Sequence, residues 1–103
     1  MIARVWKGVT KKDDADEYLD YLRATGLKEY SVAKGNRGTY VLTRHVGSTT
    51  QFLLVSLWGS MEDVKKFAGK DVEKAVYYPR DKEFLLKMEP NVDHYQVAVR
   101  PTG

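Results

Sequence analysis

The stretch Gln51-Phe52-Leu53-Leu54-Val55-Ser56-Leu57-Trp58 sets the tightest limit on how this chain can fold. Its large and β-branched apolar residues read as a strand, and side chains along a strand point alternately to opposite faces. Phe52, Leu54 and Trp58 then share one face, while Leu53, Val55 and Leu57 share the other. A strand that is apolar on one face needs one layer of cover; one that is apolar on both needs two. With 103 residues the chain has material for one core, so a second covering layer is hard to find within it.

The neighbouring segments supply the first layer. Ile2 to Val9 reads as a strand, and Thr10 predicts the N-cap of a helix, with Asp13 three residues on and Asp13, Asp14 and Asp16 at the positive end of its dipole. Ala15, Tyr18, Leu19 and Leu22 recur at helical spacing, and Gly26 is expected to close that helix. Gly35-Asn36-Arg37-Gly38 reads as a turn. Beyond it, strands over Thr39 to Val46 and Gln51 to Trp58 form a hairpin about Gly47-Ser48-Thr49. Ser60 repeats the capping pattern ahead of Met61, Val64, Phe67 and Ala68, until Gly69 interrupts. A broken helical region is expected from Asp71 through Val72, Ala75 and Val76, restarting at Pro79 into Phe84, Leu85 and Met88. His94 to Val99 alternates as a last strand.

Strand, helix, strand, strand, helices, strand is the βαββαβ order of ferredoxin-like folds, an α+β class with a four-stranded antiparallel sheet. Residues 1–99 are expected to form one such domain, followed by a polar tail over 100–103. Helices in this class cover one sheet face. The economical cover for the other is the same face of an identical chain, giving a symmetric homodimer.

Composition narrows the functional classes. Seventeen Lys and Arg against fourteen Asp and Glu leave a net charge of +3, with both signs interleaved, so the clustered basic patch of a nucleic-acid binder is missing. Cysteine is absent, which removes disulfides and thiolate zinc sites and predicts a cytoplasmic protein. The opening Met1-Ile2-Ala3-Arg4-Val5-Trp6-Lys7 lacks the apolar core of a signal peptide, and no membrane span is expected. No set of His, Asp or Glu has metal-ligand spacing, and the Gly35–Gly38 cluster matches neither a P-loop nor a dinucleotide fingerprint.

Several segments carry a resemblance: Ile2-Ala3-Arg4-Val5-Trp6, then Phe52 through Ser60 with Phe67-Ala68-Gly69, then Ala75-Val76-Tyr77-Tyr78-Pro79, and last His94-Tyr95-Gln96-Val97. Over nearly its whole length the chain resembles the antibiotic-biosynthesis-monooxygenase-like family of the dimeric α/β barrel superfamily. The resemblance implies a dimeric barrel built from two ferredoxin-like sheets. It also implies a small-molecule enzyme like the cofactor-independent monooxygenases, acting on aromatic or quinol-like substrates without metal or flavin. Haem-degrading members resemble the chain in the tryptophan closing the third strand, here Trp58. They also use a first-strand asparagine and a helix histidine as haem ligand. Here the first strand has Trp6 and Lys7 in that region, and the stretch from Met61 to Lys74 holds no histidine. The quinone-forming members place an asparagine where this chain has Leu54.

Each candidate site residue has a chemical role and a structural alternative. His94 is the candidate catalytic base, able to take a phenolic proton so that an electron-rich ring can react with dioxygen; His45 is the only other imidazole. Trp58 can stack on a planar ligand or fill the core. Tyr77 and Tyr78 precede Pro79, where irregular backbone borders pockets and phenol hydroxyls orient polar ligands. Arg44 can neutralise a carboxylate or phenolate, or sit at a dimer edge. A non-catalytic ligand-binding or structural homodimer is the alternative to an enzyme, and haem binding is the third reading. A cavity filled by Phe52, Phe67 and Phe84 would favour the structural reading, and an open one facing a histidine would favour catalysis.

Overall fold

A computed structural model describes residues 1–102; Gly103, the end of the expected tail, lies outside the described residues. The antiparallel sheet is built on the long strands β1 (Ile2–Lys11), β2 (Asn36–Val46) and β3 (Thr49–Trp58), with β3 at the centre of the order β2-β3-β1. Trp6 lies opposite Leu54, and Val41 opposite the same residue from the other side. The inner face therefore carries Arg4, Trp6, Gly8 and Thr10 of β1 beside Phe52, Leu54, Ser56 and Trp58 of β3, all buried. Gly8 is required there by the close approach of Trp6, because a Cβ would lie 2.3 Å from the indole's Cη2.

The expected βαββαβ order holds, but the sheet has five strands rather than four. Its last column is shared by two short segments on the same edge of β1. Strand β4 (Leu85–Lys87) pairs at Val9 and Thr10, and β5 (Asp93–Gln96) pairs along Ile2 to Val5. Leu85, expected to be helical, lies in β4 because the open edge of β1 offers backbone partners that a helix of four residues, α4 (Asp81–Phe84), does not.

Thr10 does not cap a helix. It continues β1, fully buried, and a 3-10 turn at Lys12–Asp14 leads into α1 (Ala15–Ala24), which buries Ala15, Tyr18 and Leu22 as its spacing predicts. Gly26 does not end the helical region but opens a further helix, α2 (Gly26–Val32). The break between them is Thr25, whose hydroxyl donates to the Tyr21 carbonyl at 2.7 Å. Gly35 and Gly38 adopt positive φ of 91° and 128°, making the turn and the bulge by which β2 enters the sheet. Helix α3 (Met61–Ala68) begins as expected, with the Asp63 N–H donating to the Ser60 hydroxyl at 3.3 Å, and ends at Gly69 with φ 88°.

The helix expected over Asp71 to Val76 does not form. Residues 69–80 hold no helix or strand, only turns, a bend and an isolated bridge from Lys74 to Asn91. Their backbone groups are engaged elsewhere: Val92 N–H donates to the Glu73 carbonyl at 2.8 Å, and Ala75 N–H to the Pro90 carbonyl at 2.9 Å. The Val72 and Lys74 carbonyls accept from a side chain of β1, Arg4. Groups satisfied across the molecule are not free for an i to i−4 ladder.

On the outer face, Tyr40, Leu42 and Val46 of β2 and Tyr95 of β5 are each about half exposed, beside Val5, Leu53, Val55 and Leu57. Both faces of β3 are thus apolar, and the helices cover only one.

Candidate functional site

The inner face of the sheet, α1, α2 and the irregular segment 69–80 enclose a crevice lined by Arg4, Trp6, Tyr30, Leu54, Tyr77 and Tyr78, among others. Its free space is about 30 Å³, roughly that of one water molecule. Aromatic side chains fill the rest of this layer. Tyr18 meets Phe52 edge to face at a centroid distance of 5.2 Å, and Phe84 lies 5.4 Å from Tyr18.

Arg4 is the residue here that sequence reasoning passed over. Only 2% exposed, it spends its donors on neutral groups: Nη1 donates to the Val72 carbonyl and to Nε2 of His94 at 3.1 Å, and Nη2 donates to the Lys74 carbonyl at 2.8 Å. Among the described residues it has no carboxylate within ion-pair distance. Burial lowers its pKa from the ordinary value, with the neighbouring Tyr30 phenol opposing that shift. An arginine nevertheless stays charged in a protein. A signal was available in the sequence: Arg4 falls on the same strand face as Trp6, the face the alternation predicts to be buried.

His94 lies opposite Arg4 in the β1–β5 pairing. Because guanidinium can only donate, Nε2 of His94 is the acceptor and its ring proton sits on Nδ1. Burial first, then the Arg4 charge, push its pKa below 6.5, against the opposite pull of Glu73 and Asp93. His94 is therefore neutral at neutral pH, the state a proton acceptor needs.

The two tyrosines are walls with committed hydroxyls. Tyr77 accepts from Trp6 Nε1 at 3.2 Å and donates to the Glu89 carbonyl at 2.5 Å, with its ring edge-on to Trp6. Tyr78 donates to Glu29 at 2.5 Å. Burial raises the pKa of both, so they remain phenols and act as donors rather than bases. The remaining candidates lie elsewhere. Trp58 is fully enclosed between Tyr30 and Phe67, donates to the Ser56 hydroxyl at 2.9 Å, and reaches the crevice only through Tyr30. Arg44 stands on the outer face, donating to Gln51 at 2.6 Å, where it lines a groove of about 620 Å³ with Lys7, Leu42, Leu53 and Glu89. His45 is exposed and bonded to Thr50 at 2.7 Å. The structure thus brings Tyr77, Tyr78 and, through Arg4, His94 to one place, and leaves Trp58 and Arg44 apart from it.

Among the described residues no group of three His, Cys, Asp or Glu gathers as a metal site, and no helix is long and apolar enough to cross a membrane. Haem does not fit the crevice as it stands: the space is that of one water, and neither histidine is among the residues that line it, His94 reaching it only by way of Arg4.

No family model matches the chain, and no curated protein matches it in sequence. Solved structures do match its fold along nearly its whole length. A candidate antibiotic biosynthesis monooxygenase from Bacillus cereus is 16% identical with a TM-score of 0.65, covering 99% of this chain and 97% of the other. A second, from Nitrosomonas europaea, is 13% identical with a TM-score of 0.68, over 96% and 100%. The haem degrader MhuD of Mycobacterium tuberculosis, with two haems bound in its active site, is 14% identical with a TM-score of 0.61, over 99% and 100%. The chain therefore has the fold of the antibiotic-biosynthesis-monooxygenase proteins, as its sequence resemblance implied.

Proposed function

We propose that the chain is a cofactor-independent, monooxygenase-like enzyme for a small aromatic or quinol-like substrate, working as a cytoplasmic homodimer joined through the outer sheet faces. One observation carries this reading: Arg4, a permanent cation without a counter-charge, is buried beside a neutral histidine among aromatic rings. A core built only for packing gains little from such a group, because an unpaired buried charge is costly. A site that must stabilise a developing phenolate gains a great deal from it.

In this reading a substrate hydroxyl enters between Arg4 and His94. Its oxygen takes over the guanidinium N–H that Nε2 of His94 now accepts, and the freed Nε2 takes the hydroxyl proton. The electron-rich ring then reacts with dioxygen, while Trp6, Tyr77 and Tyr78 exclude water. Trp58 keeps a supporting role behind Tyr30, and Arg44 belongs to the dimer face.

The small crevice favours a second reading, a ligand-binding or structural homodimer without chemistry. Dioxygen uptake against a panel of quinols and hydroxylated aromatics separates the two. The enzyme reading expects uptake with at least one compound and its loss in His94→Ala. No uptake with any compound leaves the binding protein, and equal rates in the variant remove His94 from the reaction.

A further inference from the structure

We propose that the crevice selects an aromatic ligand that arrives already ionised, as a carboxylate or an acidic phenol, and that its anionic oxygen opens the crevice by displacing the Val72 and Lys74 carbonyls from Arg4. This rests on the reading above only in sharing its crevice.

The free space in the crevice admits about one water and no ring, so a ligand that enters fully needs the wall to move. The wall that has no regular helix or strand of its own is segment 69–80, which carries Tyr77 and Tyr78. Arg4 fastens that segment to the sheet by donating to the carbonyls of Val72 and Lys74. These are neutral acceptors for a full positive charge. An anionic oxygen competes well for such a donor, since charge-assisted hydrogen bonds are about twice as strong as neutral ones. Exchange would therefore loosen the wall at the moment the ligand's charge is satisfied. A neutral molecule of the same shape offers a weaker acceptor in exchange and opens the crevice less readily. Around the anion, Trp6, Tyr30 and Tyr77 offer ring faces and edges, and His94 stays within hydrogen-bonding distance of the guanidinium. The segment keeps other fastenings, by backbone from Val92 to Glu73 and from Ala75 to Pro90, and through its tyrosines from Tyr77 to Trp6 and Glu89 and from Tyr78 to Glu29 and Asp81, so the exchange loosens it locally, around Val72 to Ala75.

The test uses two probes of one shape, 2-naphthoate and 2-naphthamide, titrated into the full-length protein. Binding is read by quenching of tryptophan emission, and opening by hydrogen exchange of the amides in 69–80. Naphthoate is expected to bind on the order of tenfold tighter or more, the usual gain of a hydrogen bond to a charged group. It should also speed exchange at Ala75, and Arg4→Gln should abolish the preference. The comparison within the wild-type protein stands even if that variant fails to fold. Equal affinities, no naphthoate binding, or tight binding with unchanged exchange overturns the inference. Uptake of dioxygen with neutral quinols alongside such a result leaves the enzyme reading in place. Naphthoate-selective binding with no uptake on any substrate does the reverse.

Discussion

Val55→Lys tests whether the outer sheet face is a subunit interface. Val55 sits in the middle of that face, with Val5 and Tyr40 as its cross-strand neighbours. In an isolated chain the position is only half-buried, so a lysine there can bend its ammonium into water and the fold should survive. In a face-to-face dimer it cannot. The nearest outer-face carboxylate along that register is Asp93, opposite Val5, about 10 Å away across two strand spacings and beyond ion-pair reach. An effective penalty of only about 2 kcal/mol for each buried, unpaired ammonium is at the low end of what such burial costs. A two-fold interface counts the change twice, so association should weaken by about 4 kcal/mol, roughly a thousandfold in Kd. Sedimentation velocity at micromolar concentration should show a wild-type dimer and a Val55→Lys monomer, with melting of the variant still cooperative. Exposed Glu62→Lys on α3 should leave the dimer intact. A monomeric wild type, or a variant that dimerises as well as the parent, refutes the inference that β3 is sandwiched by a second copy.

Two further outcomes follow from the inner layer. Tyr18→Phe removes the hydroxyl that donates to buried Asp81 at 3.0 Å, leaving that carboxylate with the Tyr78 N–H alone. The loss should be about 2 kcal/mol, a drop in Tm on the order of 10 °C in calorimetry, and a shift below about 2 °C would show that the bond contributes little. His94 has its pKa depressed in the folded chain, so the unfolded chain binds its proton more readily. Stability should therefore be full above 6.5 and fall as pH drops below 6.5 toward the folded value, and His94→Gln should flatten part of that slope in melts across the window.

Local rules reached a good part of this molecule. The alternation in Phe52 to Trp58 placed the buried and half-buried residues on their observed faces, the spacing of Ala15, Tyr18 and Leu22 marked the covered side of α1, and Ser60 with Gly69 bounded α3. Thr10 misled because a capping residue and a strand residue look alike when the following turn, Lys12–Asp14, is too short to announce itself. Leu85 misled because α4 gives way to β4 as soon as the edge of β1 is within reach.

Periodicity and capping are written into neighbouring residues, so the chain's own order determined its α+β class, the overall βαββαβ order and the two-sided greasiness of β3. The crevice was decided only in three dimensions. Arg4 meets Val72, Lys74 and His94 from about 70 to 90 positions away, and those contacts hold residues 69–80 out of a helix and bury a cation among rings. No local pattern records such a meeting, because its energy belongs to groups that become neighbours only when β1, β5 and the segment between α3 and α4 have packed together.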